Sequence, residues 1–256
     1  MQELVLEPKP FSVLGLPVHL LDDYGKWLRP RLHQGIGTHI VTLNAEMTML
    51  CEHHQTLANV IHQAELVIPD GAGIVLYLLL QGQRVRRCPG IELAERLLQS
   101  SKQPGASRWS VFFYGGAQGV AQRAAEVWQK WLPGLNVAGT QHGYLCPDEE
   151  EQLRQTLIKL QPRLILVGLG VPRQELWIAQ HRSLCPQSSW MGVGGSFDIW
   201  AGVKTRAPAW LADNHLEWLY RLYQEPWRWR RMLALPKFAG KALVHRLTQE
   251  GVGSRE

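Results

Sequence analysis

The chain has 256 residues, 45% hydrophobic and 19% charged, which is enough to bury one large core and too apolar for a disordered chain. No apolar run reaches the roughly 18 to 20 residues of a spanning helix, and the N-terminal residues lack the basic-then-apolar order of a secretory signal, so a cytoplasmic protein is expected. The net charge of +5 is local: Lys204 to Glu250 holds nine Lys/Arg against four Asp/Glu, which leaves the remainder neutral and points to an anionic partner near the C-terminus.

In chain order, a leader with several turn residues gives way to short apolar runs separated by longer mixed stretches. Strands are predicted at His39 to Thr42, Leu66 to Ile68, Ser110 to Tyr114, Asn136 to Ala138, Leu164 to Val167 and Trp190 to Val193, each short and rich in β-branched or aromatic residues. Helices are predicted at Ala45 to Ala64 in one or two pieces, Gly73 to Leu80, Ile91 to Gln99, Gly119 to Trp131, Asp148 to Leu160 and Gln174 to His181. This alternation predicts an α/β fold, a Rossmann-like and mostly parallel sheet with helices on both faces. Beyond Lys204 no strand pattern remains, and Pro208, Pro226 and Pro236 break the segment into what reads as an appendage of short helices. The chain therefore divides into a core over residues 1–203 and a basic, Trp/Arg-rich appendage over 204–256.

In an open parallel sheet, ligands bind at the carboxyl ends of the strands. Five predicted strand ends carry small or polar residues: Thr42-Leu43-Asn44-Ala45-Glu46, Pro69-Asp70-Gly71-Ala72-Gly73, Gly115-Gly116-Ala117-Gln118-Gly119, Gly168 to Glu175, and Gly194-Gly195-Ser196-Phe197-Asp198. One shared crevice is implied. Asp-Gly alone is more often a plain turn, but Asp70 stands at a strand end before an apolar helix, where a carboxylate can act as a general base. Gly115, Gly116 and Gly119 could bring backbone N–H groups to a phosphate, or could simply let a strand pack closely on a helix.

Other chemistries find less support. The glycine run is not G-x-G-x-x-G and no acid ends the next strand, which disfavours a nicotinamide cofactor; none is expected. Gly194 to Asp198 lacks the glycine spacing of a nucleophile elbow. Cys51, Cys88, Cys146 and Cys185 form no C-x-x-C pair, so neither a disulfide framework nor a structural zinc site is expected. No D-x-D or E-x-D is present to hold a divalent metal on a diphosphate; a departing diphosphate would then depend on arginines, backbone amides and helix dipoles.

The segment EWLYRLYQEPWRWRRM, residues 217 to 232, alternates aromatic rings with arginines. Arg221, Arg228 and Arg231 are spaced to return to one helical face, although Pro226 makes their convergence depend on a bend. Trp218, Trp227 and Trp229 suit a membrane interface, packing on the core, or stacking against bases. A non-enzymatic nucleic-acid binder using this tail is the alternative to an enzyme; it accounts for the basic charge but not for five polar strand ends.

Together TLNAE at 42 to 46, IPDGAG at 68 to 73, R-x-x-G at Arg87 to Gly90, GVPRQE at 170 to 175, GVGGSFDIWAG at 192 to 202, RAP at 206 to 208 and EWLYRLYQEP at 217 to 226 resemble the WecG/TagA/CpsF glycosyltransferase family, in order, over about residues 11 to 238. The resemblance implies an inverting, metal-independent transferase moving an N-acetylmannosamine-type sugar from a UDP donor to N-acetylglucosamine on a polyprenyl diphosphate, for bacterial cell-surface polysaccharide. It further implies peripheral attachment to the inner face of the plasma membrane through the appendage, and no nucleic-acid partner; a homo-oligomer is allowed but not specified. Carried over by position, Asp70 is the general base; Thr42, Asn44, Arg87 and Gln174 contact acceptor and sugars; Tyr144 and Asp198 serve the nucleotide, to which the glycine run adds Gly115 and Gly116; Arg221, Arg228 and Arg231 take the lipid diphosphate. Two positions depart from the family pattern: TLN stands where TPN is usual, and Glu92 where an aspartate commonly follows R-x-x-G.

Overall fold

A computed structural model of the chain describes residues 8–85, 87–101, 109–208, 210–211 and 216–253, with the side chains of Arg228 and of 248–253 outside the description. Its centre is a six-stranded parallel sheet in the order β4-β3-β8-β7-β5-β6. The strands are β3 (Thr38–Leu43), β4 (Leu66–Pro69), β5 (Ser110–Gly115), β6 (Asn136–Gln141), β7 (Leu164–Gly168) and β8 (Ser189–Gly192). From β3 the chain steps outward to β4, crosses to β5 and β6 at the far edge, and returns through β7 and β8 to fill the middle. All six strands run the same way, so every carboxyl end lies on one rim.

The strands read as continuous apolar runs because both faces of the sheet are covered. Successive residues still divide between faces. Ile40, Leu66, Val111, Phe113, Leu164 and Met191 pack on one side with α1 (Tyr24–Gln34), α5 (Gly90–Ser100), α6 (Val120–Trp131) and α9 (Ser196–Trp200). On the other side Val41, Leu43 and Val67 meet α2 (Ala45–Cys51), α3 (Gln55–His62) and α4 (Ala72–Leu80). Beside them Phe112, Ile165, Val167 and Trp190 meet α7 (Pro147–Leu160) and α8 (Arg173–His181). A period of two in the strands thus feeds two apolar layers, as the sequence predicts for helices on both faces.

Three features differ from expectation. The leader contains an antiparallel hairpin, β1 (Pro10–Val13) with β2 (Leu16–His19), whose four-residue strands are too short to show alternation. It continues into α1, capped by the Asp23 side chain and ended by left-handed Gly35; Pro30 inside that helix hides it from sequence. At the other end, α10 (Glu217–Gln224) and α11 (Trp229–Met232) are short, with Pro226 opening the one-turn link between them, but α12 (Ala234–Gly253) is a 20-residue helix. Pro236 lies in its first turn, where the missing N–H would have no helical partner, so it does not break the helix. Phe238 and Ala242 of α12 are 2% and 4% exposed and join the core beneath α2 and α4, and Tyr77 Oη meets His245 Nδ1 at 3.1 Å.

Candidate active site

The loops after β3, β4, β7 and β8 line one cleft of about 1140 Å³ on the carboxyl rim, roofed by residues 204–207, α10 and Arg231. Thr42, Asn44, Asp70 and Gln174 all line it. A second cavity of about 770 Å³ adjoins it, sharing Asn44, Asp70 and Arg221 and adding Arg87 and the Gly71-Ala72-Gly73 start of α4.

Each residue is held there by local chemistry. Asn44 is the N-cap of α2: its Oδ1 accepts the Met47 N–H at 2.9 Å, leaving its Nδ2 amide for a ligand. Thr42, next to last in β3, rests against Gly90, where an added Cβ would come within 2.8 Å of the Thr42 methyl and force it to move. Asp70 follows the last β4 residue, its N–H donated to the Leu43 carbonyl at 2.8 Å, with Gly71 at φ +84° turning the chain into α4. Gln174 is 2% exposed and fixed from both ends of its amide: Oε1 accepts from the Gly194 N–H (3.1 Å) and Nε2 donates to Glu175 (3.0 Å). Glu175, itself fully buried, is paired with His39 at 2.8 Å.

The electrostatics centre on Asp70. Burial holds its carboxyl above the usual carboxylate range; Arg221 and Arg87 pull it back down, Glu217 pushes it up, and the Gly90 N–H lowers it slightly. Glu217 was not anticipated from sequence as a site residue. It is 9% exposed, and its carboxylate receives Arg87 on one oxygen and Arg221 at 2.6 Å on the other. Burial raises Glu217 too, but the two guanidiniums outweigh it and leave it below the usual range. The same glutamate therefore gathers two arginines beside Asp70 and ties α10 to the core. Its place in EWLYRL, four residues before Arg221, was the available signal.

Further ion pairs join the C-terminal segment to the core: Arg231 to Glu46 at 3.3 Å, Arg206 to Glu92, and Lys241 to Glu52. Glu92, one of the two departures from the family pattern, thus binds the arginine of RAP. Arg221 and Arg231 come to the cleft as expected, whereas the Arg228 side chain lies outside the described residues.

The residues expected at a nucleotide occupy the same rim without lining the cleft. Gly115 ends β5 at φ +134°, where a Cβ would meet the Gly168 carbonyl at 2.3 Å, so close approach of two strand ends requires it. The Gly116 N–H is donated to that carbonyl at 3.0 Å and is not available to a phosphate. Tyr144 is 72% exposed in the loop after β6, anchored through Gly143, whose carbonyl accepts from Arg173 at 2.8 Å. Asp198 binds Lys204 at 3.1 Å, and it is Lys204 that reaches the cleft, shared with Glu225 at 2.9 Å. Among the described residues, no three His, Cys, Asp or Glu side chains gather as a metal site, and no helix is long and apolar enough to cross a membrane.

The carboxyl rim of the parallel sheet thus gathers two carboxylates, Asp70 and Glu217, with converging arginines, a setting suited to group transfer from a diphosphate. The chain belongs to the WecG/TagA/CpsF family: the model described as "Glycosyl transferase WecG/TagA/CpsF family" matches residues 11–251. It is 36% identical over 242 residues to an N-acetylglucosaminyldiphosphoundecaprenol N-acetyl-beta-D-mannosaminyltransferase of Bacillus spizizenii, covering 94% of this chain and 92% of that one. To a protein of the same description from Bacillus subtilis it is 32% identical over 209 residues, covering 81% and 80%. The chain is a glycosyltransferase, and nothing in its family supports the nucleic-acid alternative.

Proposed function

We propose that the enzyme transfers N-acetylmannosamine, with inversion, from UDP to a hydroxyl of N-acetylglucosamine carried on diphosphoundecaprenol, as the names of both Bacillus relatives describe for those proteins. The observation that carries this reading is the placement of Asp70 in the cleft, its carboxyl held above the usual range by burial and drawn back down by Arg221 and Arg87. A single displacement at the anomeric carbon needs one base to take the acceptor proton and positive or dipolar groups to stabilise the departing diphosphate.

In this reading Asp70 removes the acceptor hydroxyl proton as oxygen attacks the anomeric carbon and the bond to UDP breaks on the opposite side. Thr42 and the Asn44 amide position the acceptor sugar, and the remaining Gln174 N–H meets the donor sugar. Because Gln174 is immobilised by Gly194 and Glu175, it arrives oriented, which spares the transition state that ordering. The donor nucleotide lies toward Gly115, Gly116, Tyr144 and Asp198, and the lipid diphosphate toward Arg87, Arg221 and Arg231. No metal or cofactor takes part.

The basic segment from 204 onward serves as a peripheral attachment to the inner face of the plasma membrane. This is supported by the exposure of Trp218, Trp227 and Trp229 at 36%, 70% and 53%, which puts their rings at the surface beside the arginines. The test is product analysis: incubation with UDP-N-acetylmannosamine and N-acetylglucosaminyl diphosphate on a short polyprenol should yield the β-linked disaccharide lipid and free UDP. Hydrolysis of donor without acceptor glycosylation would reject the reading.

A further inference from the structure

A third cavity, open over about 1280 Å³, runs between α2 and the start of α12. It meets the reaction cleft at Glu46, Val171 and Arg231, and the Glu46–Arg231 ion pair stands at the junction. Its character differs from that of the cleft. Met49, Leu50, Leu233 and Ala234 supply an apolar lining, where the cleft is lined mainly by glycines and polar side chains. Of the two acids lining it, Glu46 is neutralised by Arg231 and Glu52 by Lys241, which leaves Arg230 and Lys237 as added positive charge.

The order of chemistry along these cavities is fixed. Asp70 lies in the first two, arginines follow, and the apolar groove begins where Arg231 ends. A molecule that presents a hydroxyl to Asp70 and a diphosphate to Arg221 and Arg231 must leave on the far side of Arg231. We propose that this groove receives the isoprenoid units next to the diphosphate of the acceptor's lipid carrier, an inference that rests on the acceptor assignment above. The groove thereby discriminates the carrier by its hydrocarbon, while the arginines recognise only its charge. Burial of isoprenoid methyl and methylene groups supplies the affinity, and the surrounding cations favour a ligand whose apolar end follows an anion.

Two acceptors separate this from the parent reading: N-acetylglucosaminyl diphosphate esterified to a farnesyl group, and the same sugar diphosphate on an ethyl group, both below their aggregation limit with no vesicles or detergent. Wild-type enzyme should show a KM lower by about tenfold or more for the farnesyl acceptor, since burying only a few methylene groups already accounts for that ratio. Leu233→Glu, at a 46% exposed position that tolerates a charge, should collapse that preference to about twofold. Leu50→Gln should do the same from the α2 side. Equal wild-type KM values for the two acceptors would overturn the groove assignment alone, and so would a Leu233→Glu defect of the same size on both. A preference restored to the variant by anionic phospholipid would assign the groove to a headgroup instead. No transfer to either acceptor by wild type would remove the acceptor reading and this inference with it.

Discussion

Asp70→Asn keeps the shape of the side chain and removes both its charge and its basicity. General-base assistance is worth about 10²–10⁴-fold, or roughly 3–5 kcal/mol of barrier at 1.36 kcal/mol per tenfold, and that loss should appear in kcat with a UDP-release assay. UDP binding, measured by calorimetry, should change little, because the proposed nucleotide residues Gly115, Gly116, Tyr144 and Asp198 do not include Asp70. The structure also sets the sign of the stability change. Burial raises the Asp70 pKa above its ordinary 3.8, so protonated Asp70 favours folding below that value and the advantage disappears as pH rises through the folded value. At neutral pH the wild type holds a desolvated charge that asparagine does not. The variant should therefore melt at an equal or higher temperature near pH 7, with the difference closing on acidification. The acid limb of wild-type kcat/KM should lie above the usual carboxylate range for the same reason, and Arg221→Ala should move it higher still. Turnover reduced by less than about tenfold, or a variant less stable than wild type at neutral pH but not in acid, would refute the assignment of Asp70 as a desolvated base.

Glu217→Gln removes the shared partner of Arg87 and Arg221; it should cost about 1–3 kcal/mol in denaturant unfolding and shift the acid limb of kcat/KM to lower pH, since the Glu217 charge raises Asp70. The Glu217 contribution to stability is present above its ordinary 4.5 and is lost as pH falls through its lowered folded value, so wild type and variant should converge in acid. Phe238→Ala, at a 2% exposed position packed on Tyr77, should cost about 3–5 kcal/mol and raise proteolytic sensitivity within α12 before the core. Trp227→Ser with Trp229→Ser should reduce flotation with anionic vesicles while transfer to a soluble acceptor persists; unchanged flotation would confine these rings to another role. Activity should be insensitive to chelators, and strict dependence on a divalent ion would overturn the metal-free mechanism.

How much of this was legible in sequence differs along the chain. Leu164 to Val167 and Ser110 to Tyr114 could be recognised because a strand covered on both faces reads as a nearly continuous apolar run, and the glycines after them mark where the chain must turn without a Cβ. Asp70, Thr42, Asn44 and Gln174 could be grouped because parallel strands deliver their following residues to one rim. The β1–β2 hairpin and α1 could not be read: two four-residue strands give too few alternations, and Pro30 imitates a stop. Pro236 misled in the same manner, since a proline in a first turn and a proline in a helix interior look identical in sequence.

The order of residues by itself determined that a parallel sheet would form, at which rim its polar strand ends would gather, and that positive charge would accumulate near the end of the chain. All three follow from local rules: the period of apolar residues, the turn chemistry of glycine and the sum of charges. Tertiary structure alone decided that Glu217, 130 residues beyond Arg87, would hold that arginine and Arg221 beside Asp70, that Lys204 and not Asp198 would reach the cleft, and that an apolar groove would open past Arg231. The reason is physical: an ion pair between distant segments, or a cavity between two helices, depends on how elements pack, and no spacing along one element encodes it.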